Sequence, residues 1–229
     1  FVLIDGRPMS TSRIALSAAL AFLVQAGAAA QTPQADNEPH RQRVWYASLI
    51  GAQWGEVRLP QFPIKAVTGD IPFRQSYLAA AGIGRVIVPR FDIPIPFTGV
   101  GLVGNSLEIE GQVVRHFGLQ EHWEGTAALV LRTGELRLWG GASLNIGWAN
   151  GLSYAFSDPK YEFGPGGVRG VDSRRLQYYM GLEAEFTLSQ LPNVHLLAKL
   201  HHRSGIYGVI SPRRTGSNFI GGGLRVDLM

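Results

Sequence analysis

From Leu176 to Leu188 every second residue is apolar. Leu176, Tyr178, Met180, Leu182, Ala184, Phe186 and Leu188 form one set, and Gln177, Tyr179, Gly181, Glu183, Glu185 and Thr187 lie between them. A strand sends successive side chains to opposite faces, so a period of two predicts a strand with one greasy and one polar face. A helix would put Glu183 on the face of Leu176 and Met180. The same alternation predicts eight strands, over residues 44–54, 73–87, 101–116, 122–132, 138–155, 175–188, 194–207 and 217–228. Turn signals fall between them, among them Gly69-Asp70, Thr133-Gly134, Asp158-Pro159, the run from Gly164 to Gly167, Pro192-Asn193 and Pro212.

Several of these strands exceed ten residues. That is long for a soluble sandwich and suits a tilted strand crossing a bilayer. The links after the first and fifth strands are long, and those after the fourth and sixth are short, as in a transmembrane barrel. The link after the second, Pro89 to Gly99, is long for a turn, and the one after the third is short. In the last strand Leu224, Val226 and Leu228 alternate with Gly223, Arg225 and Asp227, and the chain ends on Met229 rather than on an aromatic residue. The expected fold is all-β: an eight-stranded antiparallel transmembrane β-barrel of the outer-membrane type over residues 44–229.

Glycine is abundant at 29 residues, charged residues make up 17%, and mean hydropathy is near zero, as expected of strands with two unlike faces. Cysteine is absent, which excludes disulfides and thiolate metal sites. The net charge of +4 is spread out and carried mostly by arginine. It forms no basic run of the kind nucleic acid needs, and suits an anionic lipid surface better.

The N-terminal part has a different character. Met9 to Arg13 carries one basic residue, an apolar run follows from Ile14 to Val24, and small residues end at Ala28-Ala29-Ala30. This reads as a secretory signal cleaved after Ala30, with residues 1–8 upstream of its start Met. The apolar run is shorter than the roughly 20 residues of a spanning helix. Residues 31–43 are polar and proline-bearing and read as a loose lead-in.

Three constellations are bland. Gly99, Gly101 and Gly104 match a nucleotide-binding glycine pattern, but Leu107 to Glu110 continue as strand, with no helix to cap a pyrophosphate. His116, Glu121 and His122 bracket a turn without a fixed third ligand, and read as solvated loop residues rather than a metal site. Glu108, Glu110, Glu183 and Glu185 lie on polar strand faces, where Lys199, Arg225 and Arg115 are available to pair with them inside a small barrel.

His202 and Ser204 differ. They continue the greasy face of Val194, Leu196, Ala198 and Leu200, while His195, Leu197, Lys199, His201 and Arg203 take the other. If that face meets lipid, a His and a Ser are presented to lipid side by side, an expensive place for idle polar groups. Residues i and i+2 of a strand lie roughly 6.6 Å apart, which an imidazole can bridge to a hydroxyl. His202 would take the proton as Ser204 Oγ attacks an ester carbonyl. Asn218, on the apolar register of the last strand, is the side chain there that could orient the ring. The competing reading is a His and a Ser at the membrane–water boundary, where polar groups are cheap.

These residues resemble a family. His202-Arg203-Ser204 near the end of the penultimate strand, Gly151 to Tyr154 and Gly216 to Asn218 are similar to landmarks of the lipid A 3-O-deacylases (PagL-like outer-membrane barrels). The resemblance implies an eight-stranded barrel in a bacterial outer membrane. It implies metal-independent, cofactor-free hydrolysis of an acyl ester on lipid A by a Ser–His–acid triad on the lipid-facing surface, with lipopolysaccharide and outer-membrane lipids as partners. The family's acid is a Glu, and Asn218 stands here instead. An Asn orients a His without stabilising an imidazolium by charge. The backbone N–H of Gly205 or Ile206 is the expected oxyanion donor, and Arg203, Arg213 and Arg214 the expected contacts for lipid A phosphates. The rivals are a non-catalytic structural or interaction barrel in the outer membrane, an acyltransferase, and a soluble periplasmic barrel with its greasy face inward.

Overall fold

The computed structural model describes residues 45–95, 101–159, 161–162, 174–212 and 215–228, together with a short backbone pairing of Leu3–Ile4 with Arg7–Pro8. The rest of the signal and lead-in region lies outside the described residues. The eight long strands of the main sheet are β1 (Trp45–Gly55), β2 (Phe73–Pro94), β3 (Gly101–Gly118), β4 (His122–Arg132), β5 (Ala142–Ala155), β6 (Leu176–Leu188), β7 (Val194–Ser204) and β8 (Gly216–Leu228). Each pairs antiparallel with its neighbours in sequence, and β8 pairs with β1, from Phe219 opposite Trp54 to Leu228 opposite Trp45. Closure pairs every strand on both sides through the body of the barrel. The protein is an eight-stranded antiparallel transmembrane β-barrel of the outer-membrane type, as the alternation predicts. Among the described residues no helix is long and apolar enough to cross a membrane.

Three boundaries differ from expectation. β2 runs on to Pro94, through the stretch expected to be a link. β1 begins opposite Arg85, so beyond that point, among the described residues, β2 pairs with β3 alone. A proline on such an open side breaks no ladder bond, and register shifts between Val86 and Ile93 absorb the irregularity. β5 begins at Ala142 rather than 138, because Gly140 and Gly141 take φ of 70° and 75° and turn the chain. β7 ends at Ser204 because Ile206 and Tyr207 adopt φ of 42° and 53°, incompatible with a strand.

The connections 56–72, 156–175 and 205–215 share one end of the barrel with the short turn 119–121; we call it the loop end. The first connection carries a short helix, α1 (Phe62–Thr68), closed by Gly69 at φ 75°. The chain enters and leaves the barrel at the opposite, terminal end.

The interior is packed. Ile50, Trp54, Leu78, Val114, Leu197 and Phe219 form an apolar plug. Beside it lies an ion-pair network. Glu183 contacts Arg132 (2.9 Å), Arg225 (2.7 Å) and Lys199 (2.7 Å), while Arg132 also holds Glu108 (2.9 Å) and Arg225 also holds Glu185. All four interior glutamates singled out in the sequence are buried. Arg115, expected among their partners, points outward over the Trp123 ring, 5.6 Å from its centroid, because β3 alternation gives the interior to Val114 and His116. Arg132 takes its place. An eight-stranded barrel is narrow enough for such side chains to fill.

Outside, Leu49, Ile109, Val113, Leu129, Trp148, Leu196 and Leu224 are exposed. The greasy face points out and the charges point in, opposite to a barrel that encloses an apolar ligand. The soluble rival fails on this ground. An apolar exterior this continuous is stable against hydrocarbon and not against water.

Candidate active site on the outer face

The alternation of β7 sets the site. His195, Leu197, Lys199, His201 and Arg203 are buried inward, and Leu196 and Ala198 are exposed outward. His202 and Ser204 follow on the outer face, at the loop end. His202 stands between Met180 of β6 and Asn218 of β8, and Ser204 between Tyr178 and Gly216. The next row toward the terminal end is Leu182, Leu200 and Ile220. The polar pair therefore caps an apolar belt at its rim.

His202 Nδ1 lies 2.6 Å from Asn218 Oδ1. The Asn218 Nδ2 donates to the Val57 carbonyl oxygen. A carbonyl can only accept, so the amide nitrogen faces Val57 and the amide oxygen faces the ring. His202 Nδ1 must then carry the proton, which leaves the lone pair on Nε2. That is the tautomer a general base requires. The pair is covered: His202 is 9% exposed. Both ends of the 56–72 connection come down here. Val57 reaches Asn218, and Ile71 lies beside Ile220 so closely that a Cβ on Gly55 would stand 3.0 Å from one and 2.6 Å from the other.

Ser204 is partly exposed beside the covered ring. Among the described residues no hydrogen bond joins its hydroxyl to His202. Strand residues i and i+2 are roughly 6.6 Å apart at the backbone, so side-chain rotation would have to close the gap between the hydroxyl and the ring. Gly205 follows directly. Its carbonyl accepts from the Gly208 N–H (3.1 Å) and the Ile210 N–H (3.2 Å), and a Cβ there would lie 2.2 Å from the Ser211 oxygen. Its own N–H makes no hydrogen bond among the described residues. The left-handed Ile206 and Tyr207 come next, costly conformations for non-glycine residues.

The arginines divide. Arg203 is 0% exposed and faces the barrel interior, where it bonds Glu162, Ser153 (2.8 Å) and the Arg175 carbonyl (3.0 Å). The expectation that it meets lipid A phosphates is corrected: an odd position on β7 points inward. Arg213 and Arg214 lie outside the described residues. Arg174 and Arg175 are exposed instead, on a groove of about 550 Å³ that Tyr154, Leu176, Ile210 and Pro212 also line. Its Ser211 wall packs on Gly205, so the groove adjoins the site. A hydrogen bond to Asp158 (2.7 Å) raises the Arg175 pKa above its ordinary value.

Sequence reasoning missed the Val57 carbonyl, which no side-chain pattern reveals. It also missed Tyr178, whose hydroxyl donates to Asn150 on the same outer face. His116 and His122 are a correction of another kind. They are buried in the barrel and stacked on each other, not solvated, while Glu121 stays exposed. The period of two that puts Val114 inside puts His116 there as well.

The crystal structure of the outer-membrane enzyme PagL is similar over 80% of this chain and 99% of that chain, with a TM-score of 0.51 at 10% sequence identity. Neisserial surface protein A (NspA) aligns over 81% of this chain and 96% of that chain, with a TM-score of 0.41 at 10% identity. No family model matches the sequence, and no curated protein matches it. At such identity the likeness to PagL is one of fold: this chain is built on the same barrel architecture as an outer-membrane enzyme.

Proposed function

We propose that the protein is a bacterial outer-membrane hydrolase that removes an ester-linked acyl chain from lipid A. The observation that carries this reading is the His202–Asn218 hydrogen bond of 2.6 Å, locked by Val57, on the outer face beside Ser204. An imidazole held in the base tautomer next to a hydroxyl, at the upper edge of an apolar belt, suits an ester whose acyl chain lies in the membrane.

Ser204 Oγ attacks the ester carbonyl as His202 Nε2 takes its proton. The carbonyl oxygen becomes the oxyanion, and the N–H of Gly205 or Ile206 stabilises it. Collapse expels the sugar alkoxide, which leaves with the proton from His202. Water, deprotonated by His202, then releases the fatty acid from the acyl-serine. Asn218 holds the ring without charge. Arg174 and Arg175, with Arg213 and Arg214 on the last outer loop, receive the phosphates. The substrate acyl chains lie against Leu182 and Leu196. The chemistry needs no metal or cofactor, and residues 9–30 direct export before cleavage.

A second reading keeps the barrel without chemistry, as a structural or interaction protein. The absent Ser204–His202 hydrogen bond and the neutral Asn218 favour it. Incubating the detergent-purified protein with lipid A separates the two. The proposal expects release of one fatty acid per lipid A; the second reading expects none, and transfer to an acceptor lipid would mark an acyltransferase. Asn218→Ala frees the ring to take the wrong tautomer and is expected to lower the rate about 100-fold, with KM little changed. A rate within threefold of wild type would remove Asn218 from the mechanism.

A further inference from the structure

We propose that the barrel interior at the loop end binds one transition-metal ion, of the Zn²⁺ class, through His116, His122 and Glu124. The three residues stand on the β3–β4 hairpin, where His116 and His122 are cross-strand partners around the 119–121 turn. Inward alternation brings the two imidazoles face to face, with centroids 4.2 Å apart and planes 12° from parallel. Glu124, two residues further along β4, faces the same way, and its Oε2 lies 2.7 Å from His116 Nε2. One donor atom from each residue lies within 4.8 Å of the others. Tetrahedral Zn²⁺ with bonds of about 2.1 Å holds its ligands about 3.4 Å apart, so small side-chain rotations close the site.

An independent observation points to a ligand. His122 is 2% exposed, yet both its ring nitrogens lack a hydrogen-bond partner among the described residues. A buried imidazole left without a partner keeps the cost of its lost hydration. A metal ion takes up the lone pair that no group of the chain engages. Gln120 adds to the case. Its Nε2 lies 3.5 Å from His116 Nδ1, and its Oε1 is buried without a partner. When His116 Nε2 binds a metal, Nδ1 carries a proton that needs an acceptor. Turning the Gln120 amide supplies that acceptor and satisfies the oxygen.

The surroundings allow a cation. Glu124 Oε1 accepts from Ser153 (2.6 Å) and lies 3.1 Å from His201 Nε2, which fixes the carboxylate and leaves Oε2 beside His116 Nε2, with Arg203 Nε on its far side. Arg203 is the opposing charge, 3.7 Å from Glu124. Its guanidinium is already engaged by Glu162, so Glu124 and Glu162 outweigh it by one negative charge. Two imidazoles, one carboxylate and an open fourth position form a donor set suited to Zn²⁺. Bound there, the ion would staple β3 to β4 directly behind the outer-face site.

The test uses the untagged full chain, folded in detergent and stripped with EDTA. Zn²⁺ titration calorimetry, and metal content after gel filtration, are expected to give one ion per chain and a higher unfolding temperature. His122→Ala, with folding checked by heat-modifiable gel mobility, is expected to weaken binding at least about tenfold, while Ser204→Ala binds as wild type does. If His122→Ala does not fold, the wild-type Co²⁺ spectrum decides: intense four-coordinate absorption supports the site, and a weak six-coordinate spectrum overturns it. Absence of stoichiometric Zn²⁺ in the wild type, or equal affinity in folded His122→Ala, also overturns it.

Discussion

Ser204→Ala is expected to lower acyl release from lipid A by about 1,000-fold or more while leaving KM nearly unchanged. The serine hydroxyl is the only group this mechanism asks to form a covalent bond. In the proposed mechanism the substrate is held elsewhere, by the exposed apolar belt and the groove that Arg174 and Arg175 line. His202→Ala is expected to cost a similar factor, because a nucleophile without its base and a base without its nucleophile fail at the same step. The double variant is then no worse than either single one, since residues acting as a unit are not additive. Initial rates on purified lipid A in detergent check all three. A Ser204→Ala rate within tenfold of wild type would assign the nucleophile elsewhere.

Arg225→Met is expected to destabilise the barrel by about 3–5 kcal/mol, the usual cost of stranding buried charge. The Arg225 guanidinium bonds Glu185 and Glu183, lies 3.5 Å from Glu110, and sits 4.2 Å from the Tyr46 ring centroid. Methionine fills a similar volume but leaves these carboxylates facing one another with Arg132 and Lys199 as the remaining cations of the network. Adding Glu183→Gln removes one of the stranded charges, so the double variant is expected to regain part of the loss. Urea midpoints of unfolding from lipid vesicles measure both. Equal midpoints for wild type and Arg225→Met would mean that water reaches the network and screens it.

The barrel was legible because a period of two needs only side-chain polarity. Leu176 to Leu188 gives strand, facing and length at once, and β6 occupies those residues. Where the structure departs from the alternation pattern, the causes are local and physical. Pro89 and Pro94 argue for a link only where a strand has neighbours on both sides, and among the described residues β2 has one neighbour there. Arg203 is expected at the lipid phosphates because it lies next to the last outer loop, but β7 holds its inward facing to Ser204, so the alternation that already separates Arg203 from His202 and Ser204 buries it. The short separation of His116 and His122 suggests turn residues, yet the turn is tighter still, over 119–121, and both rings point into the barrel interior. In the candidate site, the pairing of His202 with Asn218 follows from register, which the alternation of β7 and β8 makes readable. The Val57 carbonyl that fixes the amide does not, because a backbone group brought in by a loop leaves no trace in side-chain pattern.

Mass spectrometry of lipid A tests the central claim most directly. Cells of a suitable Gram-negative host would express the chain in the outer membrane, beside matched cells expressing Ser204→Ala. The account expects the wild-type lipid A to lose the mass of one acyl chain and the variant's to stay intact. Identical lipid A masses from both, with the two proteins folded and equally abundant in the outer membrane, would contradict it.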